Sequence, residues 1–145
     1  MQDIGKQVAA INHAIKREIE KETKCDLMRF SVSNGNILMY LHDHKDEDVF
    51  QKNIEETFGI TRSSASKVIS LMEAKGLIDR CGVSGDARLK KLTITDLGEN
   101  VRRKMIEGRD KMEKRLTKDF SEEEKELLNR LLLKLRKNLE EKGDK

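Results

Sequence analysis

Apolar positions recur along the chain at helical spacing in its first third. Ile4, Val8, Ile11, Ile15 and Ile19 step by four and three, with Ala9, Ala10 and Ala14 beside them, which predicts an amphipathic helix. The pattern breaks at 23–29 and resumes with Ile37, Leu38, Tyr40 and Leu41, a second helix that Ser33 or Asn34 can cap. Asp48 and Gln51 stand at capping-box spacing before a short third helix, with Ile54 and Phe58 inward and Gly59 at its end. Ala65, Val68, Ile69 and Met72 are the stripe of a fourth helix at 61–76, capped by Thr61 and stopped by Gly76.

The period then changes. Residues 77–81 and 89–95 read as two strands around a turn-rich 83–86, a β-hairpin. Thr95 caps a long helix over 96–116 that carries Val101, Met105, Ile106 and Met112. Gly108 within it costs ~1 kcal/mol relative to Ala and suits a bend or a close approach. Ser121 to Glu124 is a further capping box, before a helix striped with Leu127, Leu128, Leu131, Leu132, Leu135 and Leu139. Two short helices across a tight Gly-containing turn, followed by a hairpin, form a winged helix-turn-helix. The expected fold is mainly α with a small β-hairpin wing (α+β). A winged region at 33–98 is flanked by dimerisation helices at 1–22 and 100–142, in one domain of 145 residues. The end helices are too apolar to leave uncovered, and a second copy of the chain would cover both.

Charge singles out one part of this layout. Charged residues make up 39% of the chain and aromatic residues 3%, and the net charge of +3 says little alone. Between residues 61 and 91, however, seven cations face three anions, so the rest of the chain is slightly acidic. Arg62, Ser63, Ser66, Lys67 and Ser70 lie mostly off the apolar stripe of the fourth helix, an array of short hydroxyls and cations that suits a DNA groove. Asp86, Arg88, Lys90 and Lys91 cluster at the hairpin that follows, which favours a wing that touches DNA over a plain structural ribbon.

Other chemistry is sparse. His42 and His44 sit in a charged loop, but His-x-His does not place both rings on one helical face, and zinc takes three or four N or S ligands; the loop reads as solvated, with no metal. Cys25 and Cys81 are not at metal-type spacing and read as two reduced thiols. No nucleophile–base set or phosphate-cradling glycine loop points to an enzyme, and no cofactor is implied. No apolar run approaches the ~20 residues of a membrane span, and residues 2–22 lack a signal-peptide core, so a cytoplasmic protein is expected.

The motifs QKNIEETFGITRSSASKVISLMEAKGLIDR at 51–80 and DARLKKLTITDLG at 86–98 resemble the winged-helix regulators of the MarR (multiple antibiotic resistance regulator) family. The spaced Asp86-x-Arg88, then Leu92-x-Ile94-Thr95 and Gly98, is the most specific piece, and the flanking helices fit the same layout. The resemblance implies a homodimer with interlocked terminal helices and a recognition helix at 61–75 in the major groove. It also implies a wing whose Arg88, positioned by Asp86, reaches toward the minor groove. Glu55, Phe50 and Lys91 depart from the family's usual small residue, capping hydroxyl and apolar strand residue.

The expected function is sequence-specific recognition of double-stranded DNA by a homodimeric transcription regulator, a repressor on a pseudo-palindromic operator. The site residues are Thr61, Arg62, Ser63, Ser64, Ser66, Lys67, Asp86, Arg88, Lys90 and Lys91. A small-molecule effector would act near the junction of the dimer and DNA-binding regions, where Met28, Arg29, Phe30, Met39 and Tyr40 are candidates to line a pocket, though each also fits as a core or linker residue. Two rival readings share the fold: a cysteine-based redox-sensing regulator, and an architectural DNA-binding protein without sequence preference.

Overall fold

The computed structural model describes residues 3–22, 32–83 and 85–140. Its elements are, in order, α1 (Ile4–Glu22), α2 (Val32–Asp43), α3 (Gln51–Phe58), α4 (Arg62–Ala74), β1 (Ile78–Val83), β2 (Asp86–Ile94), α5 (Asp96–Leu116) and α6 (Glu122–Glu140). They fall into two compact units, Met1–Gly108 and Arg109–Lys145. No helix among the described residues is long and apolar enough to cross a membrane.

The core of the first unit joins Ile37, Leu38 and Leu41 of α2, Ile54 of α3, and Ala65, Ile69 and Met72 of α4. Leu77, Ile78 and Leu92 from the hairpin and Val101 of α5 complete it, together with Val49 from the α2–α3 connection. These are the residues whose period marked the helices and strands, so burial follows the apolar pattern. Helix α1 differs: Ile4, Val8, Ile11 and Ile19 of its stripe are all exposed.

Short-range signals set most element ends. Gly59 adopts φ 60 and Gly76 φ 73, the left-handed geometry that only glycine enters without cost. Thr95 joins the end of α4 to the start of α5. Its hydroxyl donates to the Gly76 carbonyl at 2.6 Å and accepts from Gly98 N–H at 3.0 Å, while its amide donates to the Leu77 carbonyl at 3.1 Å. Gly98 is buried there, and the position takes glycine because a Cβ would collide with the Leu77 carbonyl.

Three local expectations are corrected. Helix α2 is described from Val32, so Ser33 and Asn34 lie within its first turn, not before it as expected. Helix α3 is capped at Phe50, not Asp48, and the partner at its third position is Asn53, not Gln51. Phe50 N–H donates to Asn53 Oδ1 at 2.8 Å, but a phenyl ring accepts nothing, so only half of a capping box is made. The cause is tertiary. The Val49 carbonyl accepts from Leu92 N–H at 2.7 Å, which draws the α2–α3 connection along the hairpin as an extended segment and delays the helix. The hairpin is also longer than the spacing of turn residues implied. Ile78 pairs with Ile94 and Val83 with Asp86, with an irregularity between Gly82 and Val83.

His42 lies in the last turn of α2, not in the expected charged loop, and both it and His44 are engaged within the fold. His42 Nδ1 lies 2.7 Å from Glu99 Oε1, and Arg102 Nε donates to Glu99 Oε2 at 2.8 Å, linking α2 to α5. Burial works against ionisation of Glu99, but the hydrogen bonds and charges of His42 and Arg102 outweigh it and hold the carboxyl below its ordinary range. His44 Nδ1 is 2.8 Å from the Tyr40 carbonyl, and its ring stacks on Tyr40, which also meets Phe58 edge-on.

The second unit holds the end of α5 and all of α6. Ser121 and Glu124 make the full capping box at the start of α6, at 2.8 and 3.2 Å. No residue of α6 is buried, and Leu127, Leu128, Leu131, Leu132, Leu133, Leu135 and Leu139 are all exposed. A Cβ at Gly108 would meet nothing within 4 Å among the described residues.

Candidate nucleic-acid interface

Helix α4 has 13 residues, about 20 Å at 1.5 Å per residue. Its inner face is fixed, with Ala65, Ile69 and Met72 fully buried. Ser63, Ser66, Lys67 and Ser70 occupy the opposite face, and they are exposed, as are Arg62 and Ser64 on the flanks. Thr61 is the N-cap. Its hydroxyl accepts from Ser64 N–H at 3.1 Å and donates to Ser64 Oγ at 3.0 Å. Thr61 and Ser64 therefore form the cap, and the unengaged hydroxyls on the outer face are those of Ser63 and Ser66.

Two interactions that the linear pattern did not disclose hold α4 in place. Gln51 Nε2 donates to the Arg62 carbonyl at 3.3 Å, tying α3 to the first turn of α4. Arg80 reaches back from β1, donating through Nη2 to Ser70 Oγ at 2.9 Å and placing Nε 3.2 Å from Glu73 Oε2. Alternation along β1 was the available signal for Arg80, since it lies on the Ile78 side of the strand, which faces the core. Gln51 carried none.

On the wing, Gly85 takes φ 99 and Asp86 Oδ1 accepts from Arg88 N–H at 2.8 Å, so the aspartate shapes the backbone from which Arg88 projects. Arg88 and Lys90 are exposed and share one side of β2 with buried Leu92. A shallow cleft between this strand and the start of α3 is lined by Lys52, Arg80, Arg88 and Lys90 and by no carboxylate. Lys52 is a cation the sequence reading passed over. Lys91 lies on the other side of the strand, and its Nζ is 2.9 Å from Asp48 Oδ1. Among the described residues no ion pair engages Arg62, Lys67, Arg88 or Lys90.

Among the described residues no group of three or more His, Cys, Asp or Glu could hold a metal. Cys81 is an exposed thiol on β1; Cys25, and with it Met28, Arg29 and Phe30, lies outside the described residues. Of the two remaining effector candidates, Tyr40 packs against the core and Met39 is half-buried.

A buried-backed helix with an outer face of hydroxyls and free cations, next to a basic hairpin, defines a winged helix-turn-helix DNA-binding protein. Residues 31–89 match the profile of the MarR family. The HTH-type transcriptional regulator YybA of Bacillus subtilis (strain 168), itself uncharacterized, is 26% identical over 144 residues, covering 97% of this chain and 91% of that protein. The crystal structure of the Staphylococcus aureus MepR–DNA complex is 26% identical, with TM-score 0.70 over 90% of this chain and 96% of that one. The heme sensor PefR of Streptococcus agalactiae, solved with heme, shares the fold at 24% identity and TM-score 0.79, over 95% of each chain. Over residues 31–89 the chain is thus similar to the MarR family, and its likeness to these proteins supports a DNA-binding transcription regulator.

Proposed function

We propose that the protein is a homodimeric repressor that binds a pseudo-palindromic operator in the cytoplasm and is released by a small-molecule effector. The observation that carries the DNA contacts is the set of cations left without ion pairs: Arg62 and Lys67 on α4, Arg88 and Lys90 on the wing. Ser63, Ser66 and Lys67 would meet base edges and phosphates in the major groove, where a helix fits. Arg88 and Lys90 would follow the backbone into the adjacent minor groove. Thr61, Ser64 and Asp86 serve by shaping the helix start and the wing tip.

Dimerisation is supported by the apolar faces of α1 and α6, each exposed to an extent that monomers rarely leave uncovered. The effector follows the precedent of PefR, which holds heme on this same fold. An effector acts through its different affinity for the DNA-competent and DNA-incompetent states.

Selection from a random duplex pool tests this reading. It should recover an inverted repeat with half-sites about one helical turn apart, and light scattering should give the mass of two chains. Recovery of no consensus would favour the architectural reading, and a monomer at micromolar concentration would remove the palindrome's basis.

A further inference from the structure

We infer that Lys91 is a positioning residue for the wing, paired with Asp48, and does not contact DNA. The inference rests on the DNA-binding reading above and reassigns one cation within it. Lys91 stands between Lys90 and Leu92, and alternation turns its side chain away from the Arg88–Lys90 side of β2. Its ammonium meets the Asp48 carboxylate at 2.9 Å, with the lysine side chain 31% exposed and the aspartate 60%. One residue further along each segment, Leu92 N–H donates to the Val49 carbonyl at 2.7 Å.

Two consecutive residues of the α2–α3 connection thus grip two consecutive residues of β2. Among the described residues the sheet has only two strands, and an isolated hairpin is marginally stable in water. Val49 supplies a third backbone partner, and the Asp48–Lys91 pair closes it with a side-chain clasp. The grip lies just before Lys90 and Arg88 when the strand is followed toward its tip, so it sets the angle at which those cations leave the body. Where the wing is fixed in advance, less of the binding free energy is spent in ordering it.

The test is operator binding across a salt series, using the duplex recovered from the random pool. A clasp gives Asp48→Ala and Lys91→Ala the same sign. Each should weaken binding about two- to five-fold per wing, the range of a partly exposed ion pair, and the double variant should be no worse than either single one. Neither should change the slope of log affinity against log salt, whereas Lys90→Ala should lower it by about one for each phosphate no longer neutralised. The exchanged pair, Asp48→Lys with Lys91→Asp, should recover most of the affinity. If Lys91→Ala perturbs the hairpin itself, Lys91→Met keeps the apolar stem and should still weaken binding.

The opposite result is distinct. A lysine that contacts phosphate is freed by removal of its carboxylate partner, so tighter binding by Asp48→Ala, with a lower salt slope for Lys91→Ala, would overturn the inference. Unchanged affinity in both variants would overturn it as well. Failure of the DNA-binding reading itself would show differently, as a wild-type protein that retains no duplex or a Lys90→Ala variant that leaves the slope intact.

Discussion

Helix α4 and the β1–β2 wing both present cations, proposed above to meet the same partner, yet they are held by different means. Helix α4 rests on Ala65, Ile69 and Met72, all fully buried, and is fastened at both ends by Gln51 and Arg80. Among its described residues the wing is buried only at its base, through Ile78 and Leu92, while Cys81, Gly82, Leu89 and Lys90 are exposed. Beyond that base it depends on its strand pairing, the Asp86 turn and the grip of Asp48 and Val49. Apolar burial fixes a surface without regard to salt, whereas a partly exposed ion pair is worth less than about 1 kcal/mol and is screened. On the proposed reading the same contrast divides the work: α4, held by the core, would read bases, and the wing, held at its base and by the Asp48–Lys91 clasp, would follow the backbone.

The comparison breaks most visibly at the core. Ile69→Ala removes a fully buried side chain beneath the outer face of α4 and should cost about 2–5 kcal/mol of stability, as large-to-small core substitutions do. Denaturant unfolding would read it as a lower midpoint at unchanged slope. Leu89→Ala near the tip of the wing, where the side chain is 45% exposed, should cost less than about 1 kcal/mol, in keeping with its partial burial. Equal destabilisation at the two sites would show that the wing is as firmly built in as the helix.

DNA binding should separate the two surfaces next. Lys67→Ala takes a cation from the rigid outer face of α4 and should cost about 1–3 kcal/mol on the selected operator if it meets a base edge. Arg88→Ala should weaken selected and unrelated duplexes more evenly and lower the salt slope, as removal of a phosphate-directed cation does. Titration of both variants on both duplexes, by anisotropy at several salt concentrations, distinguishes them. A selective effect for Arg88→Ala and an even one for Lys67→Ala would reverse the division of labour.

What could be read in the sequence follows a physical boundary. Features fixed within four residues were legible: the stripe of α4, the glycines at 59 and 76, the caps at Thr61, Thr95 and Ser121. Features that depend on distant partners were not. Asp48 and Gln51 have capping-box spacing, but Leu92 claims the Val49 carbonyl and moves the cap to Phe50. Lys91 reads as one more basic wing residue until the fold brings it to Asp48. Arg80 counts as a cation in the sequence and becomes a strap on α4 only when β1 is laid beside that helix. The exposed leucines of α6 were legible as an apolar stripe, but a stripe does not name the surface that covers it.

A more modest effect than at the core is expected at Thr61, where the cap and the proposed DNA-facing surface meet. Its hydroxyl accepts from Ser64 N–H, so Thr61→Ala should cost about 0.5–2 kcal/mol of stability, the usual range for removal of an N-cap. Thr61→Asp separates the two roles. An aspartate caps at least as well as threonine and places a negative charge favourably at a helix N-terminus, so stability should be kept. The same charge stands beside Arg62 at the proposed DNA face and should weaken binding, the more so at low salt. Thermal unfolding and duplex titration of the same two variants read both quantities. If Thr61→Asp keeps both stability and affinity, the start of α4 lies away from the phosphates, and the reading surface shifts along the helix toward Ser66 and Lys67.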